Sequence, residues 1–106
     1  MAKPPYELKF GHEIRAHLKA IDAKYHALIL QTIDEQLEFE PNVETRNRKP
    51  LRTPAAFSAH WEIRLGPQNR FRVLYGVDEE ERTVHVLAIG EKRRNRLIVG
   101  GEEIEL

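Results

Sequence analysis

Between His60 and Val77 the sequence reads HWEIRLGPQNRFRVLYGV, and its period of two constrains the fold more than any other stretch. Trp61, Ile63 and Leu65 alternate with Glu62 and Arg64. After the Gly66-Pro67 turn, Phe71, Val73, Tyr75 and Val77 alternate with Arg70, Arg72, Leu74 and Gly76. Successive side chains on a strand point to opposite faces, so these are two strands with a common apolar face to bury. A third run, Thr83 to Ile89, follows the turn Asp78 to Arg82 and completes a β-meander. With the apolar set buried, Arg64 and Arg72 fall together on the opposite face.

Upstream, Tyr6, Leu8 and Phe10 alternate in a short strand that ends at Gly11. Ile14, Leu18 and Ile21 recur at helical spacing over His12 to Asp22, and Tyr25, Leu28, Ile29, Ile33 and Leu37 do so over Lys24 to Phe39, where Pro41 stops the helix. Both stripes need a surface to cover, which predicts an αα-hairpin turning at Asp22 to Lys24. Residues 41–57, PNVETRNRKPLRTPAAF, contain three prolines and neither period, and read as a crossing loop. The expected architecture is α+β: a small antiparallel sheet, made of the N-terminal strand plus a C-terminal three-stranded meander, covered on one face by the helical hairpin. At 106 residues and 41% hydrophobic, residues 1–106 are expected to form one domain with one modest core.

Seventeen Lys and Arg balance seventeen Asp and Glu, so no argument for a polyanionic partner comes from the net charge of zero. The distribution is more informative. RNRKPLR at 46–52 and KRRNR at 92–96 are basic, whereas residues 78–81 and 102–105 are acidic. The absence of cysteine excludes disulfides, thiolate metal sites and cysteine nucleophiles, and fits a reducing cytoplasm. No window approaches the roughly 20 apolar residues of a membrane span, and the first residues lack a signal-peptide core, so a cytoplasmic protein is expected. The histidines at 12, 17, 26, 60 and 85 have no metal-ligand spacing, Ser58 has no nucleophile elbow, and Gly100-Gly101 has no phosphate-loop context. No metal or cofactor is expected.

The pattern WEIRLG, then RFRVLY, then VHVLAIGEKR resembles the RelE/ParE superfamily of toxins from type II toxin–antitoxin modules, and the order of elements from Tyr6 to about Arg96 is similar too. RKPLR at 48–52 adds to the likeness. The resemblance implies a toxin neutralised by a cognate antitoxin. It also implies one of two activities that share the fold: metal-independent cleavage of mRNA on the ribosome, or inhibition of DNA gyrase without cleavage. A catalytically silent member that acts only as a binding partner is a third reading. In the nuclease case a ribose 2′-hydroxyl attacks the adjacent phosphate while cations stabilise the charge that develops, a task suited to the planar guanidinium fork.

On that comparison Arg72, Arg64, Lys92 and Arg93 are the expected catalytic cations. Arg48, Lys49, Arg52, Arg70, Arg94 and Arg96 are the expected RNA or ribosome contacts. The chain departs from RelE in placing Glu62 where a lysine is expected and Leu97-Ile98-Val99 where a tyrosine is expected. The general base is therefore open among Glu62, His60 and His85, with His85 following the parity of Leu87 and Ile89. A plainer reading pairs Glu62 with one of the sheet arginines across strands, worth a few tenths to about 1 kcal/mol. Trp61 and Tyr75 read as core. The tail GEEIEL reads as a frayed chain end, or as a segment that folds back on the basic residues and imitates a phosphate chain.

Overall fold

The computed structural model describes residues 4–52 and 55–105; Thr53 and Pro54 of the expected loop and Leu106 of the tail lie outside it. Strand β1 (Glu7–Phe10) leads into helix α1 (Ile14–Lys19), and after a 3-10 turn helix α2 spans His26–Leu37. The helices are shorter than their stripes suggest because Asp22 caps the turn between them, its Oδ1 accepting from Lys24 N at 3.1 Å. Strands β2 (Arg48–Pro50), β3 (Trp61–Leu65), β4 (Phe71–Asp78), β5 (Thr83–Arg93), β6 (Arg96–Val99) and β7 (Glu102–Ile104) follow.

The meander is present, but the sheet has seven strands in the order β2-β3-β4-β5-β6-β7, with β1 also on β5. Three of these strands are additions to the expected sheet. β2 falls in the predicted loop, where three residues ending in Pro50 show no period. Its register comes from β3, with Arg48 opposite Ile63 and Lys49 opposite Glu62. β6 and β7 form a hairpin from the predicted short apolar run and tail.

Strand β5 has two partners in succession on one edge. Its first half runs parallel to β1, from Glu7 opposite Thr83 to Phe10 opposite Val86, and its second half runs antiparallel to β6, from Gly90 opposite Val99 to Arg93 opposite Arg96. On the other edge Leu74 stands opposite Ala88 and Tyr75 opposite Val86, which leaves Leu87 as an extra residue. The bulge shifts the alternation. Val84, Val86 and Ile89 all join the core under the helices, so His85 does not share the parity of Ile89, contrary to expectation, and is exposed.

Ile29, Ile33 and Leu37 of α2 and Ile14 of α1 close the main core over Ile63, Val73, Tyr75 and Phe71. Tyr75 is fully buried, and its hydroxyl donates to Pro41 O at 2.5 Å; burial raises its pKa above the usual tyrosine value. The opposite face is not an open cationic groove. Ala59, Leu74, Ala88, Leu97 and Val99 form a second apolar cluster there. Leu51, beyond β2 at one end of the sheet, and Ile104 of β7 at the other both pack on it, so the cluster extends across this face.

Where β5 passes from β1 to β6, the Ile89 N–H meets no strand and donates to Nδ1 of the buried His17 at 3.3 Å. His17 Cδ2 lies 3.3 Å from where a Cβ on Gly100 would stand, and the Phe57 ring meets the imidazole edge-on. Burial holds the His17 pKa below the usual histidine value, with the Glu13 carboxylate at 3.8 Å opposing the shift. The native state therefore favours the neutral ring, and the unfolded chain binds the proton first. Stability contributed by His17 is complete above the unfolded value of about 6.5 and falls as the pH drops below it. Urea midpoints measured from pH 7.5 to 5 should decline more steeply for wild type than for His17→Gln; parallel profiles would show that this histidine is not the coupled group.

Candidate functional site

The β3–β4 register places Arg64 directly opposite Arg72 on the face away from the helices, because Ile63–Val73 and Leu65–Phe71 occupy the other. Like charges opposite one another destabilise a sheet. Glu62, two residues before Arg64 on the same face, offsets that repulsion. Its Oε1 accepts from Arg64 Nε at 2.8 Å, and its Oε2 lies 4.0 Å from Arg72 Nε. The carboxylate is 4% exposed, and Oε2 is buried with no hydrogen-bond partner.

Arg72 itself is 7% exposed. Its Nη1 donates to the Asn69 and Phe71 carbonyls, the first presented by the turn between β3 and β4. Burial lowers its pKa, while Glu62 raises it and Arg64 lowers it further. A guanidinium keeps its charge under all these effects.

The third strand completes the group. Gly90 allows β6 to lie close to β5, since a Cβ there would stand 2.8 Å from Val99 Cγ2 and 2.9 Å from Ile98 O. Two residues on, Lys92 N donates to Arg70 O at 2.7 Å and extends the β4–β5 ladder past Phe71. Lys92 then shares one cleft with Glu62, Arg64, Arg72 and Arg96, and β7 brings Glu103 and Glu105 to it. Glu103 Oε1 lies 3.5 Å from Arg96 Nε.

Other expected site residues lie elsewhere. Arg93 and Arg70 both reach Glu91, a buried carboxylate that alternation puts on the helix side, and Arg70 stacks over the Tyr25 ring at 5.2 Å. Arg94 occupies the left-handed turn between β5 and β6 and borders a shallow cleft with Arg70, Arg72 and Lys92. Arg48 is buried instead of facing a ligand. Its Nη1 donates to Gln36 O at 2.6 Å and to Glu40 O, satisfying carbonyls at the end of α2. Lys49 lies 3.4 Å from Glu44, and Arg52 is exposed beyond β2. His60 and His85 border a separate cleft with Ser58 and Gly76, so of the three candidate bases only Glu62 joins the arginines.

Glu91 was not anticipated, although a lone acidic residue between Gly90 and Lys92 at a strand end is a recognisable charge anchor. No group of His, Asp and Glu among the described residues is placed to hold a metal ion. No helix among them is long and apolar enough to cross a membrane.

Residues 8–96 match the family model of the ParE toxin of type II toxin–antitoxin systems. The chain belongs to this toxin family. No match to an individual curated protein accompanies it. Among solved structures, the RelBE2 toxin–antitoxin complex from Mycobacterium tuberculosis contains a chain 27% identical to this one. The alignment covers 83% of this chain and 99% of that chain, with a TM-score of 0.66. The toxin thus shares its α+β fold with that neighbour, and the expected RelE/ParE membership holds. In this toxin the family match ends at Arg96, so nearly all of the β6–β7 hairpin lies beyond it.

The Glu62 bridge makes a stability prediction. Replacing a buried carboxylate by Ala leaves Arg72 facing Arg64 without compensation, and Glu62→Ala should lower the unfolding free energy by about 1–3 kcal/mol in urea titrations. Adding Arg64→Ala should recover part of that loss. If the double substitution is instead as costly as the sum of the two, the residues are not coupled.

Proposed function

We propose that this toxin arrests translation by cleaving mRNA on the ribosome, using Glu62 as general base and the cations of the same cleft as transition-state ligands. The observation that carries this reading is the buried Oε2 of Glu62, which makes no hydrogen bond and lies 4.0 Å from Arg72 Nε. An acceptor without a partner, in a cleft with two guanidiniums and an ammonium, is suited to taking the 2′-hydroxyl proton.

The 2′ oxygen then forms a bond to the adjacent phosphorus, the bond from phosphorus to the 5′ oxygen breaks, and Lys92 gives the leaving oxygen its proton. The products are a 2′,3′-cyclic phosphate and a 5′-hydroxyl. Arg64 and Arg72 stabilise the phosphorane oxygens as charge accumulates. Ribosome dependence follows from the economy of the site, because a single carboxylate and partly compensated arginines need a substrate strand already held in the reactive geometry.

The antitoxin enters on the neighbour's evidence: the similar M. tuberculosis chain was solved within a toxin–antitoxin complex, which supports a cognate antitoxin for this chain. A second reading, inhibition of DNA gyrase without cleavage, is favoured by the charge compensation itself. Arg64 is held at 2.8 Å by Glu62, and Arg72 donates to main-chain carbonyls, as residues of a binding surface do.

Primer extension on a defined message in a purified translation system separates the two. Wild type should give new 5′ ends only on translated message, and Glu62→Gln and Arg72→Ala, shown folded by circular dichroism, should each reduce cleavage by about a hundredfold or more. Growth arrest with intact message and loss of gyrase supercoiling would establish the inhibitor reading instead.

A further inference from the structure

The C-terminal hairpin is the part of the cleft that the nuclease chemistry does not use. Gly100 and Gly101 both have positive φ, 59° and 85°, and turn the chain so that β7 lies against β6 with Ile104 opposite Leu97. Ile104 is half-buried against the second apolar cluster, which fixes the strand's position. β7 is short and forms the free edge of the sheet. It delivers Glu103, and Glu105 just after its end, to the cleft that holds Glu62, Arg64, Arg72, Lys92 and Arg96.

The charge count shows the consequence. Four cations and three carboxylates line the cleft, a net of +1, and two of the three carboxylates come from β7 and the residue after it; without them the net would be +3. A phosphate chain entering while β7 is in place meets a cleft of reduced positive charge, in which Glu103 already engages Arg96. The pair is largely exposed, so it contributes little to stability and can be displaced.

We propose that β7 is a built-in competitor for the cleft: Glu103 occupies Arg96 and, with Glu105 just after the strand, lowers the positive charge that the cleft offers to phosphate, so nucleic acid must displace the strand, pivoting at Gly100-Gly101, to bind fully. This rests on the nucleic-acid reading of the cleft. It assigns a regulatory role to a segment beyond the family match, one that sets the threshold affinity without touching the reacting atoms.

The test uses the full chain and a fluorescein-labelled single-stranded oligoribonucleotide, with anisotropy read at low and high salt. Glu103→Gln with Glu105→Gln keeps the hairpin's backbone pairing, and should tighten binding by about three- to tenfold at low salt, with the difference shrinking as salt rises. A chain ending at Gly101 should behave alike. The control, Glu80→Gln with Glu81→Gln in the β4–β5 turn, makes the same change in net charge away from the cleft and should leave affinity unchanged.

If wild type binds and the β7 variants bind no more tightly, or if the control tightens binding equally, the competitor role is overturned while the nucleic-acid reading stands. If neither wild type nor any variant binds, both fail together.

Discussion

Strand β5 must satisfy two different neighbours along one edge, and most of the molecule follows from how it does so. Its first half accepts β1 in parallel and its second half accepts β6 antiparallel. At the transition one backbone donor would be left buried, at a cost comparable to a lost hydrogen bond. His17 takes that donor, which docks α1 against the junction. On the opposite edge the Leu87 bulge absorbs one residue, so that Ile89 returns to the helix side and Gly90 and Lys92 come beside Arg72. An unbulged β5 would present Glu91 to the cleft in place of Lys92. The sign of the charge at the third corner of the site is thus a matter of strand register.

The second organising constraint is that this site stores positive charge beneath the surface of a chain with no net charge. Arg72 could not be buried opposite Arg64 without a nearby anion, because desolvation and repulsion both work against it. Glu62 supplies that anion: its Oε1 accepts from Arg64, while its Oε2 lies 4.0 Å from Arg72 Nε and makes no hydrogen bond. The same residue therefore makes the arginine pair foldable and offers the only free acceptor beside it among the three bases considered. Structural and chemical roles on one side chain are consistent with the departure from lysine at this position, since a lysine there would add another cation beside Arg64, Arg72 and Lys92. Glu91 performs the corresponding service for Arg70 and Arg93 on the helix side.

The meander, the helical hairpin and the first strand were legible because each carries a period that packing enforces. Trp61 to Val77 can bury its apolar set in only one register, and Ile29, Ile33 and Leu37 need a surface of that width. What escaped the sequence depends on pairing across long separations. Arg48 looked like one more residue in a basic loop; its burial follows from the carbonyls of Gln36 and Glu40, which no local pattern announces. β2 has only three residues and ends in proline, and the parity of His85 was lost at a bulge whose extra residue, Leu87, is an ordinary strand former. Within the site, alternation alone placed Arg64, Arg72 and Glu62 on a common face. The separation of His60 and His85 from them required the second apolar cluster, which fills the centre of the face between the two clefts.

That cluster also explains why a short acidic tail can be ordered at all. A free edge strand rich in glutamate has little intrinsic preference for a sheet, and three backbone pairs do not offset its entropy. Ile104 changes the balance by packing on the cluster, which provides the apolar surface that the tail covers. Ile104 anchors the strand at the edge of the cleft, and Glu103 and Glu105 line the cleft on either side of it. A polar residue in place of Ile104 would release the strand without altering any charge, whereas the glutamine substitutions alter charge without releasing the strand. One apolar side chain that lines the cleft thus holds two carboxylates beside the cations, which ties the cleft's electrostatics to the packing of a single residue at its edge.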